Sequence, residues 1–223
     1  MLHKDVLDIS YQHQYKIRSV FKEILGIHDI DHFSLDLVRP DGEMIFFSGT
    51  PSHAYEICKR GYGAYDGIIS PDYYKNYEFY WWKDAAHKAY ANKIDTIRSE
   101  VLGLKHGFML VRKWDDFHLI YSFATKNGSL DFQTNVINQI NVFLKIGDWA
   151  YNEMQETYSE YTGNNEPPKI ESFFTFEGGA PPARYTANYQ LNNAGLIAPK
   201  PVSINNVIHF DFSHGQRTKS RYE

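Results

Sequence analysis

Two alternating segments, each folded back on itself by a turn, set the tightest limit on what this chain can become. Phe33, Leu35 and Leu37 alternate with polar or small residues, as a half-buried strand requires. Arg39-Pro40-Asp41-Gly42 follows, where proline fixes φ early and glycine is free to take positive φ. Met44 to Phe47 then returns antiparallel. A second unit pairs residues 107–112 with 117–124 across the polar turn at Asp115-Asp116. Phe117, Leu119, Tyr121 and Phe123 alternate along its return strand.

Helical spacing surrounds both hairpins. Over residues 8–25, Ile17, Val20, Phe21 and Ile24 fall at i, i+3, i+4 and i+7, and Gly26 supplies a stop. Pro51 opens a short helix over 52–60. Residues 84–102 carry Tyr90, Ile94, Ile97 and Val101 at helical spacing, with Gly103 after them. Asn127-Gly128-Ser129 caps a last helix over about 130–160. Along it Val136, Ile140, Phe143, Gly147, Ala150, Met154 and Tyr158 repeat in steps of three or four. A stripe that long can serve both a core and a partner helix, so a homodimer through Val136 to Tyr158 is expected. The order predicts an α/β fold, an α/β/α sandwich with a central antiparallel sheet of about five strands in the GAF/PAS manner.

After residue 161 the texture changes. Thr162-Gly163-Asn164-Asn165-Glu166-Pro167-Pro168 is linker chemistry, and Gly178-Gly179-Ala180-Pro181-Pro182 repeats it. The division expected is a sensor-like domain over 1–163 and an irregular tail over 164–223, kept partly apolar by Phe173, Phe174, Phe176, Phe210 and Phe212.

The net charge of −4 gives no basic surface for nucleic acid. A single cysteine, Cys58, excludes an internal disulfide framework and suits a reducing compartment. The start lacks a signal-peptide apolar run, and no stretch reaches the ~18 uninterrupted apolar residues of a membrane span. The expected location is the cytoplasm.

Chemistry-bearing motifs are few. His28 with His32, and His209 with His214, match no metal-ligand spacing, so no metal is expected. Cys58 beside Lys59 and Arg60 lacks an orienting His/Asn pair, and Ser70 and Ser122 lack a nucleophile-elbow context. No glycine-rich loop cradles a phosphate, so neither enzyme activity nor a cofactor is expected. An irregular aromatic belt runs from Tyr62 to Trp82. Rings at irregular spacing can be plain core or the walls of a cavity. Asp66 within the belt favours a cavity, because a carboxylate among rings is costly unless exposed or hydrogen-bonded. Trp81 can add an indole N–H beside an apolar wall.

Landmarks in sequence order carry a resemblance. They are Asp31-His32-Phe33, the turn Pro40-Asp41-Gly42, the run from Tyr62 to Asp66, Trp81 beyond it, Leu102 to Phe108, and Tyr121-Ser122-Phe123-Ala124. Together, from Asp31 to about residue 160, they resemble the autoinducer-binding domain of LuxR-family transcription regulators. In that family's acyl-homoserine-lactone sensors the aspartate accepts the ligand amide N–H and the tryptophan donates to the lactone carbonyl. The resemblance puts those roles on Asp66 and Trp81, and gives the ligand-binding set Asp66, Trp81, Tyr62, Tyr65 and Ser122. Gly107 matches a structural glycine. The chain departs from the pattern at His53 and Ile57, where lactone sensors carry Trp and Tyr, and at Gly67, where they carry Pro. Those departures point to a small apolar signal other than an acyl-homoserine lactone. Thr218 to Glu223 resembles the segment that opens the family's helix-turn-helix domain, so DNA would be reached only through a domain not in this chain. A stand-alone interaction module of the same fold, without a ligand, is the alternative.

Overall fold

The computed structural model describes residues 3, 5–162, 167, 169 and 170, and two short strands near the C-terminus, 202–204 and 207–209. Helices α1 (Val6–Gln12) and α2 (Gln14–Lys22) replace the single helix predicted over 8–25. They part at His13, whose ring meets the Tyr161 hydroxyl at 2.9 Å. Strands β1 (His32–Val38) and β2 (Met44–Ser48) form the first hairpin, with Ser34 opposite Ser48 and Asp36 opposite Phe46. Its turn closes through Gly42, at φ +81°.

Helix α3 (Pro51–Lys59) leads into the aromatic belt, which is broken into 3-10 turns at Gly63–Tyr65 and Gly67–Ile69 and helix α4 (Pro71–Tyr74). The belt also holds an element the spacing did not show, strand β3 (Phe79–Trp81), followed by helix α5 (Trp82–Ala85). The helix predicted over 84–102 is reduced to α6 (Ala91–Thr96) and a π turn at Ile97–Val101. Strands β4 (His106–Trp114) and β5 (Phe117–Thr125) form the second hairpin. Helices α7 (Leu130–Asn138) and α8 (Ile140–Ser159) divide the predicted last helix at Gln139, at φ −122° and ψ 23°. The break turns α7 onto His106, where Phe132 stacks and Gln133 bonds the imidazole at 3.0 Å.

The five strands form one antiparallel sheet in the order β2-β1-β5-β4-β3. Side chains alternate between its faces. One face carries Phe33, Leu35, Leu37, Phe108, Leu110, Leu119, Tyr121 and Phe123, sealed by α2 and α8. Arg112 grips Asp148 of α8 from β4, and the Tyr158 hydroxyl donates to the Leu35 carbonyl at 2.7 Å. Every residue of the stripe from Val136 to Tyr158 is buried in this layer. The expected dimer seam is therefore corrected: its apolar face is committed to the chain's own sheet.

The opposite face carries Val38, Met44, Tyr80, Met109, Ile120 and Ala124 beneath Tyr74, Trp82 and Ala85 of α4 and α5. Strand parity adds His32, Ser34, Asp36, Ser48 and Ser122 to it. Val202–Ile204 and Val207–His209 form a separate two-stranded hairpin. The remainder of the expected tail over 164–223, its phenylalanines included, and the side chain of Cys58 lie outside the described residues.

Candidate functional site

The mixed polar face is where chemistry can collect, because Arg112, Asp148, Tyr121 and Tyr158 on the other face are bonded to one another or to the backbone. Its floor is unusual for the centre of a sheet. Ser48, Ser34 and Ser122 lie in one row across β2, β1 and β5, with His32 and Asp36 flanking Ser34 along β1. Ser34 on β1 and Phe46 on β2 are partly exposed, while the other residues of both strands are buried. The floor is thus least covered at these two positions.

Asp66 faces this layer and is already paired. One Arg98 nitrogen donates to both its carboxylate oxygens, at 2.7 and 2.8 Å, and each side chain is only 5% exposed. The Ile68 amide donates to the same carboxylate at 3.4 Å. The Arg98 guanidinium lies over the Trp82 ring, 4.6 Å from its centre, and its Nε donates to His53 Nε2 at 3.4 Å. His53 stacks on Trp82 at 4.9 Å and 9°. His32 meets both rings edge-on. The Trp82 indole N–H points to the Ser122 hydroxyl at 3.2 Å and to the Met109 sulfur at 3.1 Å. A buried ion pair needs additional hydrogen bonds to hold, and this one has them.

Trp81 does not join the cluster. It packs against Phe79 and Phe108, on the sheet face covered by α8. Successive strand residues point to opposite faces, so Trp82, one residue on, supplies the indole near Asp66. Tyr62 and Tyr65 also stand apart. Tyr65 is 38% exposed and stacks on Tyr90 at 4.0 Å, while Tyr62 tilts against the same ring and both Tyr62 and Tyr90 lie under Lys93. Of the expected set, Asp66 and Ser122 come together and Trp81, Tyr62 and Tyr65 do not.

The departures at Gly67 and His53 have structural reasons. A Cβ on Gly67 would sit 1.4 Å from the Ala85 carbonyl oxygen, so proline could not take this position. At Gly107 a Cβ would come within 2.2 Å of the Trp82 ring, which lies directly on the strand backbone. His53 accepts from the Arg98 head beside it while stacking on Trp82. Ile57 packs with Ile94 and Ile97 in a small apolar cluster of its own.

Two buried groups on β1 have no hydrogen-bond partner among the described residues. His32 is fully buried, and among the described residues neither ring nitrogen has a hydrogen-bond partner. Burial, with the nearby Arg98 charge, lowers its pKa to about 3. His53 is held well below its ordinary value by burial, and then by His32 and Arg98. Asp36 is 4% exposed, and burial alone raises its pKa to about 8, with no hydrogen bond or cation opposing. At neutral pH the face therefore presents two neutral imidazoles and a protonated carboxyl.

Three of these residues escaped the sequence reading. Arg98 falls four residues after Ile94, inside the apolar stripe, and the π turn brings it inward while Val101 rotates out to 50% exposure. Asp36 was visible as the strand partner of His32 and Ser34 at spacing two. Trp82 differed from Trp81 only by strand parity. A cleft of about 30 Å³ reaches Trp82 and Arg98 from the side of Leu104, Lys105 and Gln133, with room for about one water. Among the described residues no group of His, Cys, Asp or Glu is placed to hold a metal ion, and no helix is long and apolar enough to cross a membrane.

No protein-family model matches the chain, and no curated protein matches it by sequence. Among solved structures it is similar to SdiA in complex with octanoyl-rac-glycerol, at 11% identity and TM-score 0.39 over 67% of this chain and 60% of that one. Escherichia coli SdiA in another crystal form gives 12% and 0.44 over 72% and 68%. CepR2 from Burkholderia cenocepacia, an N-acylhomoserine-lactone-dependent LuxR-family transcription factor, gives 12% and 0.42 over 63% and 93%. The match spans about three fifths of the first of these chains. Likeness of this degree assigns neither family nor function.

Proposed function

We propose that this chain is the ligand-sensing regulatory domain of a LuxR-type transcription regulator, built on a GAF/PAS-like sandwich, and that a small, mostly apolar molecule settles on the polar floor between β1 and β2. One observation carries the reading: His32 and Asp36 are both buried on this face of β1, with the partly exposed Ser34 between them and Phe46 opposite Asp36, and neither side chain has a hydrogen-bond partner among the described residues. Buried polar groups are nearly always satisfied, and a core with no ligand to receive gains nothing from leaving two of them bare. A ligand with an apolar body and one polar head answers that pattern.

The ligand's head meets Asp36 and the neighbouring serines, its apolar body lies along the floor, and Asp66 acts through Arg98 to hold the wall formed by Trp82 and His53. Binding stabilises the fold by mass action. Output to DNA passes through a helix-turn-helix domain outside this chain, and a homodimer uses a surface other than the α8 stripe. The setting is the cytoplasm, with no catalytic step.

The second reading is a ligand-free interaction module. The internal satisfaction of Asp66 by Arg98 favours it. A thermal-shift screen of medium-chain lactones, monoacylglycerols, alcohols and amines separates the two. At a ligand concentration a hundred times Kd, stabilisation of about 2.7 kcal/mol raises Tm by roughly 5–10 °C. The Ser34→Phe variant, which fills the floor, should lose that response. Equal melting with every class would leave the docking module as the better account.

A further inference from the structure

Asp36 is the least expected charge-bearing group in the molecule. It sits on a central strand, between Phe46 on β2 and Ile120 on β5, and is 4% exposed. The groups that face it are Tyr80 on the same side and, through the strand, the Tyr158 hydroxyl, both driven up partly by its charge. Both hydroxyls are already engaged, Tyr80 with the Ile68 carbonyl at 3.1 Å and Tyr158 with that of Leu35. Arg98, the buried cation of this layer, is held by Asp66. Asp36 therefore has no counter-charge among the described residues.

A buried carboxyl without a counter-ion is expensive, and an apolar ligand alone gives no reason to keep it. The surroundings are suited to a cation. Phe46, opposite Asp36 in register, and Tyr80 bring aromatic rings beside it, and the Ser34 and Ser48 hydroxyls offer oxygen lone pairs. Resting on the ligand-sensing reading above, we infer that the floor recognises an amine: a primary ammonium head pairs with the Asp36 carboxylate while an apolar chain lies along Phe46. Binding then releases a proton, because the protonated carboxyl must ionise to form the pair with the ammonium. The bond broken is the Asp36 O–H, and the proton leaves to solvent.

The test uses the full chain at pH 7 with octylamine as the probe and 1-octanol as its neutral counterpart. Titration calorimetry in two buffers of different ionisation heat reads proton release, and melting reads binding. Octylamine should bind with release of about one proton per site. The Asp36→Asn variant should weaken octylamine at least tenfold and abolish the release, while keeping the response to 1-octanol. Ser34→Phe should remove both ligands. If both probes bind alike, without proton release and unchanged in Asp36→Asn, the amine inference is overturned and the ligand floor stands. If neither probe binds the wild-type chain, the inference and the sensing reading fall together.

Discussion

Replacing Asp36 by asparagine should make the protein more stable above neutrality and less stable in acid. In the folded chain the carboxyl titrates at about 8, against an ordinary value of 3.8. Between those values the unfolded chain loses the proton and the folded chain keeps it. The folded state then binds more protons, so stability is full below 3.8 and is lost as pH rises towards 8. At 1.36 kcal/mol per pH unit, the penalty accumulated by pH 7 is roughly 4 kcal/mol. Asparagine has the same shape and does not titrate, but buries an amide without a partner at a cost of about 1–3 kcal/mol. The two stability curves should cross between about pH 4.5 and 6. Urea unfolding at pH 5 and pH 8, compared at unchanged m value, measures the difference. A variant less stable than wild type at pH 8, or a difference that does not change with pH, would refute the reasoning.

Three further outcomes follow from the same layer. Removing either partner of the Asp66–Arg98 pair, as Asp66→Ala or Arg98→Ala, should cost about 3–5 kcal/mol, whereas Asp66→Leu with Arg98→Met should cost much less than the two singles together, by a double-mutant cycle in urea. His32 and His53 are both held below their ordinary 6.5, so their contribution is full above that pH and is lost as pH falls below it, for His32 towards about 3; His32→Phe should flatten melting curves taken between pH 6.5 and 4.5, and an unchanged slope would contradict the assignment. Gly107→Ala forces a methyl into the Trp82 ring and should cost about 1–3 kcal/mol with a shift in tryptophan emission, and an unperturbed spectrum would count against the packing.

The sheet was legible because period-two alternation and a proline-glycine turn are local signals. Phe33, Leu35 and Leu37 could face one way only, and they do. The final helix was legible in its stripe but not in its break at Gln139, which depends on α7 reaching His106. The site was legible only in part. Asp66 was found because a carboxylate among rings is conspicuous, but its partner was not, since Arg98 reaches the interior through a π turn that helical spacing does not announce. Trp81 and Trp82 differ by one step of strand parity, and β3 is too short for alternation to be read. Tyr62 and Tyr65 share the belt's composition but stand on its outer side with Tyr90, a matter of tertiary placement.

The account depends on a ligand reaching the floor between β1 and β2. Backbone-amide NMR of the labelled full chain, titrated with octylamine and 1-octanol, tests this most directly. The account predicts that shifts concentrate at His32, Ser34, Asp36, Phe46 and Ser48. Shifts confined to the Tyr62, Tyr65 and Tyr90 cluster, or none at saturating probe, would contradict it.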